Sequence, residues 1–165
     1  MSVDDRSGSV VKKSESIRDI LRERGLGEDV LVATAMELYL PHPGVETRDL
    51  AEEVFLRELE LALSDPNLCL LLYSAVLLED AGLRRELPDL PASAYEEDLN
   101  YLLADEVLGG VIATYIAGHK GGFEYARFDR SKPGVLRELG PFMDDAIAGL
   151  IGGVSSNMYT RGMRH

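Results

Sequence analysis

The chain has 165 residues, 45% of them hydrophobic and 28% charged, and its formal net charge is −12 at pH 7. This length and apolar content are typical of a single globular domain and exclude an intrinsically disordered chain. The acidic excess disfavours nucleic acid and anionic lipid as partners, because both surfaces are themselves negatively charged.

Helix start and stop signals recur along the first half of the chain. Residues 1–13 have no apolar segment and are predicted to form a flexible tail, so that residues 14–165 form a single helical domain. Ser16 has the spacing of an N-cap residue, and Gly25 is a typical helix stop. Hydrophobic spacing and these signals predict helices over 16–25, 27–40 and 46–64.

An apolar run at 68–78 follows Asp65 and Pro66, which are an N-cap residue and a first-turn proline. We expect a buried helix here and no membrane span, because the run is shorter than the roughly 20 residues that cross a bilayer. The run contains Cys69, the single cysteine of the chain. No intramolecular disulfide can therefore form, which favours a cytoplasmic location.

The second half is also predicted to be helical. A long helix is expected over 94–119, a break at the glycines of 120–122, an ordered loop around 127–134, and a last helix over 141–161. Strand patterning is nearly absent from the sequence, which contains no repeats and no low-complexity segment. The predicted fold class is all-α, a bundle of about six helices.

Each of the last two helices carries an acidic pair in an otherwise apolar segment. Residues four apart share a helix face, so Asp105 lies over Gly109, and Asp145 lies over Gly149. Each helix thus places an acid beside a small residue that permits close approach of a neighbouring helix. Neither pair has a Lys or Arg within four residues. We expect both pairs to face inward or into a cleft; solvation of a helix end at a bend is the alternative.

Carboxylates gathered in such a cluster repel one another, and burial raises their pKa values. A divalent cation removes this conflict, and hard oxygen ligands suit magnesium or manganese. The segment between the helices supplies Asp129 and Lys132, with Pro133 and Gly134 placing the lysine on an ordered turn. Residues 118–137 carry five Lys and Arg side chains against two acids, and this basic segment is either a solvated face or a local anion site. A metal ion and a lysine together are what phosphoryl chemistry needs, because they neutralise phosphate oxygens and activate a water molecule.

The motifs "ADEVLGG", "FDRSKPG" and "FMDDAIAG" occur in this order between about Asn100 and Tyr159. They resemble the three acidic motifs of the phosphatidylglycerophosphatase A family, and the N-terminal half resembles its soluble, all-helical branch. The resemblance implies a magnesium-dependent phosphomonoesterase in which a central helix is surrounded by the others. Archaeal members of that branch act as alpha-ribazole-phosphate phosphatases in cobamide synthesis, so the resemblance implies this soluble substrate.

The resemblance also implies a site. It marks as metal ligands, for Mg²⁺ or Mn²⁺, the five carboxylates Asp105, Glu106, Asp129, Asp144 and Asp145. It adds Lys132 as the residue that contacts phosphate, so that all six are expected to be catalytic.

Departures from the family pattern bear on the substrate. The membrane-associated lipid phosphatases have a glycine- and threonine-rich N-terminal loop and long apolar segments, which this chain lacks, and their glycine-rich run is reduced here to Gly140-Pro141. The alternatives are a phosphatidylglycerophosphate-type lipid phosphatase and a non-catalytic helical module that binds a metal or ligand. We also expect self-association into a homo-oligomer, because the chain is apolar for a bundle that has few aromatic residues and no tryptophan.

Overall fold

The computed structural model describes residues 14–95 and 102–163, and within these ranges the chain is all-α, as predicted. The predicted tail at 1–13 lies outside the described residues. The helices are α1 (Ile17–Glu23), α2 (Glu28–Met36), α3 (Arg48–Leu63), α4 (Pro66–Leu83), α5 (Ala104–Ala117), α6 (His119–Ser131) and α7 (Pro141–Gly162). Short 3-10 turns lie at Ala92–Tyr95 and Gly134–Glu138.

The predicted helix caps are confirmed. The Ser16 side chain accepts a hydrogen bond from the backbone N–H of Asp19 at 3.2 Å, and Gly25 has a positive φ of 76° after the end of α1. At the start of α4, Asp65 accepts from the N–H of Asn67 at 2.8 Å, and Pro66 occupies the first turn. These side chains satisfy N–H groups that the helix itself leaves unpaired.

The centre of the bundle is α7, which is buried along most of its length. It packs against α5 and α6 and also contacts α2, α3 and α4. Only small side chains allow its closest contact, which is with α5. A Cβ atom added to Gly149 would lie 2.2 Å from the carbonyl oxygen of Gly109, and one added to Gly109 would lie 2.4 Å from the carbonyl oxygen of Asp145. The predicted close approach beside the acids is therefore confirmed.

Two features of the second half differ from the prediction. The long helix expected over 94–119 begins only at Ala104, after a 3-10 turn and residues 96–101, which lie outside the described residues. The break comes at Gly118, with a φ of 67°, and the glycines of 120–122 lie inside α6. Gly121 allows α6 to pack closely on α5, because a Cβ atom on it would lie 2.2 Å from the carbonyl oxygen of Ala113 on α5.

The apolar helix α4 is buried on one face only. Leu68, Leu72 and Val76 are buried, whereas Leu70 is 65% exposed and Leu77 is 51% exposed. The expectation of a buried helix therefore holds for one face of α4 and not for the other. By length and composition alone, α4 also qualifies as a helix long and apolar enough to cross a membrane, and among the described residues it is alone in this.

The contact between α5 and α7 can be tested by substituting one glycine that lies in the contact and one that lies outside it. We expect Gly149→Ala to destabilise the fold by about 2–3 kcal/mol, because the added methyl group overlaps the α5 backbone. Gly110→Ala is the matched control: its nearest neighbour would be Tyr125 at 3.9 Å, so it should be neutral or stabilise by up to about 1 kcal/mol. Urea unfolding measures both, and equal effects of the two changes would contradict the close contact.

Candidate functional site

Lys132 lies among three carboxylates that come from two helices. Its Nζ donates to Oδ1 of Asp129 at 2.7 Å and to Oδ2 of Asp144 at 2.8 Å, and it lies 3.9 Å from Oδ1 of Asp145. Residues from the second and third sequence motifs are therefore brought together, as the resemblance implies. We call these four side chains the Lys132 cluster.

The end of α6 positions the lysine. Pro133 disfavours helical geometry in the residue before it, so the helix stops at Ser131 and Lys132 adopts a left-handed conformation with a φ of 46°. The prediction that proline takes Lys132 out of helical geometry is confirmed. The placing of Asp129 on a loop is wrong, because it lies in the last turn of α6. The three-residue spacing lets its carboxylate pair with Lys132 across that turn.

Asp145 is the most buried member of the cluster, with 3% of its surface exposed. Its Oδ1 accepts a hydrogen bond from the hydroxyl group of Tyr125 at 3.0 Å. Burial, a shared hydrogen bond with Asp129 and the charge of Asp144 raise its pKa to about 8, although the Tyr125 hydroxyl opposes the shift. Near neutral pH this carboxyl group can therefore hold or release a proton.

The pKa values of Asp144 and Asp129 shift in opposite directions. Burial raises the pKa of Asp144 above its ordinary value, even though Lys132 favours the ionised form. Burial acts in the same sense on Asp129, but hydrogen bonds with Lys132 and Asp145 outweigh it and lower the pKa of Asp129. Lys132 is also partly buried, and its carboxylate partners raise its pKa against that burial, so that it stays protonated. The cluster thus contains one firm cation and carboxyl groups that differ in proton affinity.

The first motif lies at the edge of the cluster. The Tyr125 hydroxyl that bonds Asp145 is also 3.3 Å from the backbone carbonyl oxygen of Glu106, which places the first turn of α5 beside the buried acid. Asp105 accepts from the N–H of Glu106 at 2.9 Å and lines a cleft of about 360 Å³ together with Glu79 and Phe142. Four of the six predicted residues thus meet directly, whereas the side chains of Asp105 and Glu106 make no described hydrogen bond or ion pair with them.

The described cations of the basic segment do not converge on one point. Arg127 forms an ion pair with Glu124 at 2.8 Å, and Lys120 donates to Thr160 at 2.6 Å, near the opposite end of α6 from Lys132. The cations that looked clustered in sequence are therefore spread along the helix. Among the cations whose bonds are described, Lys132 is the one bonded to Asp129 and Asp144.

Two further residues contribute to the site without belonging to any of the three motifs. Tyr125 lies four residues before Asp129, so helical spacing on α6 was the available signal. Glu79 is buried, and its Oε2 accepts from the N–H groups of Phe142 at 2.8 Å and Met143 at 3.0 Å, at the start of α7. A carboxylate at this end suits the helix dipole. Burial nevertheless raises the pKa of Glu79. No sequence pattern links it to the motif that begins 63 residues later.

The residues present suit a hard divalent cation chemically. Among the described residues, Asp144 Oδ1 is buried without a hydrogen-bond partner, which leaves one carboxylate oxygen ready to bind a ligand. The donor set consists of carboxylate oxygens, the ligands that Mg²⁺ and Mn²⁺ prefer. Within the described ranges, no group of three or more His, Cys, Asp or Glu side chains is already arranged to hold a metal. The Lys132 ammonium stands where three of the carboxylates meet, so a cation would take over part of its role.

Comparison with known proteins finds a relative by sequence and solved structures of the same fold. It is 41% identical over 128 residues to the uncharacterized protein MJ1330 of Methanocaldococcus jannaschii, covering 75% of this chain and 96% of that protein. No family model matches. A protein of unknown function from Bacillus stearothermophilus has a TM-score of 0.73 at 22% identity, covering 88% of this chain and 92% of that one. The low temperature requirement C protein from Listeria monocytogenes has a TM-score of 0.74 at 22% identity, covering 88% and 93%. These two likenesses establish the fold alone.

The raised pKa of Asp145 has a consequence for stability. Between its ordinary value of 3.8 and about 8, the unfolded chain releases a proton that the folded chain retains, so this group lowers stability as pH rises through that window. We expect Asp145→Asn, without metal, to be more stable than wild type by about 1–3 kcal/mol near pH 7.5, with the difference vanishing near pH 4. Chemical unfolding with a chelator present measures this. A variant that is less stable at both pH values would contradict the assignment.

Proposed function

The chain belongs to the family of the archaeal protein MJ1330, and we propose that it is a magnesium-dependent phosphomonoesterase acting on a soluble phosphate ester. The observation that carries the proposal is the contact of Lys132 with Asp129 on α6 and Asp144 on α7, at 2.7 and 2.8 Å. A lysine set among hard oxygen ligands suits the binding of a phosphate group beside a divalent cation. The resemblance of the three motifs to phosphatidylglycerophosphatase A points to the same chemistry.

The carboxylates would hold the cation. Asp144 would use its unpaired Oδ1, Asp129 and Asp145 would contribute from the same cluster, and Asp105 and Glu106 would contribute from the edge. When bound, the metal would supply charge neutralisation at the phosphate oxygens and a lower pKa for a coordinated water molecule.

The side chains of the chain have distinct roles in the proposed reaction. Lys132 would exchange a carboxylate for a phosphoryl oxygen and donate to it as negative charge develops. Asp145 would accept a proton from the attacking water. Tyr125 holds Asp145 in place through a 3.0 Å hydrogen bond. A new phosphorus–oxygen bond to water would form as the bond to the alcohol leaving group breaks, and the proton taken up by Asp145 would pass to the leaving oxygen.

The cleft beside Asp105 provides room for the leaving group. It has a volume of about 360 Å³ and is lined by the carboxylates Glu79 and Asp105 and by apolar and aromatic side chains, among them Leu87, Tyr95 and Phe142. This size and character suit a compact group with an aromatic ring. We therefore propose alpha-ribazole phosphate, the substrate that the resemblance implies, in preference to a long-chain lipid.

The activity can be tested by measuring phosphate release with magnesium or with a chelator. We expect magnesium-dependent release from alpha-ribazole phosphate, and weaker or no release from a nucleoside monophosphate and from phosphatidylglycerophosphate in vesicles. Preference for the vesicle substrate would support the lipid phosphatase instead. Magnesium binding without release from any substrate would support the non-catalytic module.

Two variants test the roles of the residues. Lys132→Ala should lower kcat/KM by about 30- to 1000-fold, which corresponds to about 2–4 kcal/mol for one lost donor to the transition state. Asp145→Asn should remove most of the turnover and raise the magnesium concentration required. Glu53→Gln, which changes an exposed acid on α3, is the charge-matched control for Asp145→Asn and should behave as wild type. Full activity of Asp145→Asn at low magnesium would show that the acidic pair is structural.

A further inference from the structure

Helices α4 and α5 lie side by side in opposite directions on one side of α7. The Tyr115 hydroxyl, near the end of α5, donates to Oδ2 of Asp65 at the start of α4, at 2.6 Å. At the opposite end, Asp105 in the first turn of α5 lines the same cleft as Glu79 and Gly82 near the end of α4. Both helices pack their inner faces on α7, so their outer faces point away from it together.

This outer surface, which we call the α4–α5 face, is apolar. It consists of seven large side chains that are each 40% to 65% exposed: Leu70, Tyr73 and Leu77 on α4, and Leu103, Val107, Val111 and Tyr115 along α5. Spacings of four residues on α5, and of three and four on α4, place each set in one stripe. Neither residues 67–78 nor residues 107–118 contain a charged side chain.

The extent of the face calls for a partner. Single exposed apolar side chains are normal on a protein surface, but a contiguous patch is not. The exposed parts of these seven side chains amount to on the order of 700 Å². That exceeds the ~300–600 Å² of the largest patch on a typical monomer, and it approaches the ~800 Å² that each partner buries in a specific interface.

We propose that the α4–α5 face is the contact surface of a symmetric homodimer of this chain. An uncharged face is where two chains of net charge −12 can meet without bringing their acids together. A two-fold axis through the face sets the antiparallel pair of one chain against that of the other, which gives a four-helix arrangement. The two tyrosines and the leucines suit the centre of such a contact.

A lipid surface suits the face less well. Membrane-surface helices carry Lys and Arg beside their apolar stripe, whereas Asp65 and Glu106 border this face. Insertion of α4 as a membrane span would withdraw Leu68, Leu72 and Val76 from the core.

The experiment is light scattering coupled to size-exclusion chromatography, at micromolar concentration. The wild type should have twice the 18.1 kDa mass of one chain. Leu70→Glu and Val111→Glu should each give monomers, because a dimer would then bury carboxylates without partners. Leu61→Glu on α3, where the side chain is 58% exposed outside the face, should remain dimeric.

Circular dichroism keeps the result interpretable. All three changes place a charge where the side chain already meets water, so the helix content should stay that of the wild type. A folded wild-type monomer would overturn the proposal, as would dimers that persist in both face variants. A monomer that floats with phosphatidylcholine vesicles, and loses this in Leu70→Glu and Val111→Glu, would show that lipid covers the face and would also overturn it.

Discussion

The site depends on the contact between the backbones of α5 and α7. Gly109 and Gly149 let these helices approach so closely that a methyl group on either would overlap a carbonyl oxygen of the other. The same approach places the first turn of α5 beside Asp145, where the Tyr125 hydroxyl lies within 3.3 Å of the Glu106 carbonyl oxygen and 3.0 Å of the Asp145 carboxylate. A glycine placed one turn from an acid therefore has two effects. The glycine allows the two helices to touch, and their contact buries the acidic group.

Burying these acids destabilises the fold, and several neighbouring groups offset part of that effect. Lys132 neutralises part of the charge by bonding Asp129 and Asp144, and Tyr125 bonds Asp145. Even so, burial leaves the pKa values of Asp144 and Asp145 raised. A protein that served only to be stable would gain from apolar residues here, since buried ionic groups seldom increase net stability. The retained repulsion is what a bound divalent cation would relieve, which ties this local cost to the proposed activity.

The sequence predicted the helices with clear caps, and of the five acids that it predicted to converge, three meet at Lys132. Asp65-Pro66 and Ser16 identified helix starts because capping is local chemistry. The glycines of 120–122 gave the wrong position for the helix break. Gly121 packs against α5, and such a glycine has the same sequence signal as one that ends a helix. Glu79 could not be foreseen, since its hydrogen bonds to the start of α7 cross 63 and 64 residues of chain. The bundle brings Lys132 and Asp144 together across 12 residues, a relation that the motif order suggested and spacing alone did not.

The most direct test of whether the Lys132 cluster binds a divalent cation is a crystal structure of the protein soaked in Mn²⁺, with anomalous diffraction recorded to locate the metal. The expected result is a manganese peak bonded to the currently unpaired Oδ1 of Asp144 and to a second carboxylate of the Lys132 cluster, with the lysine ammonium displaced from at least one of its two acids. A site without a peak at millimolar Mn²⁺, in which Lys132 still donates to both Asp129 and Asp144, would show that the acids serve only the lysine.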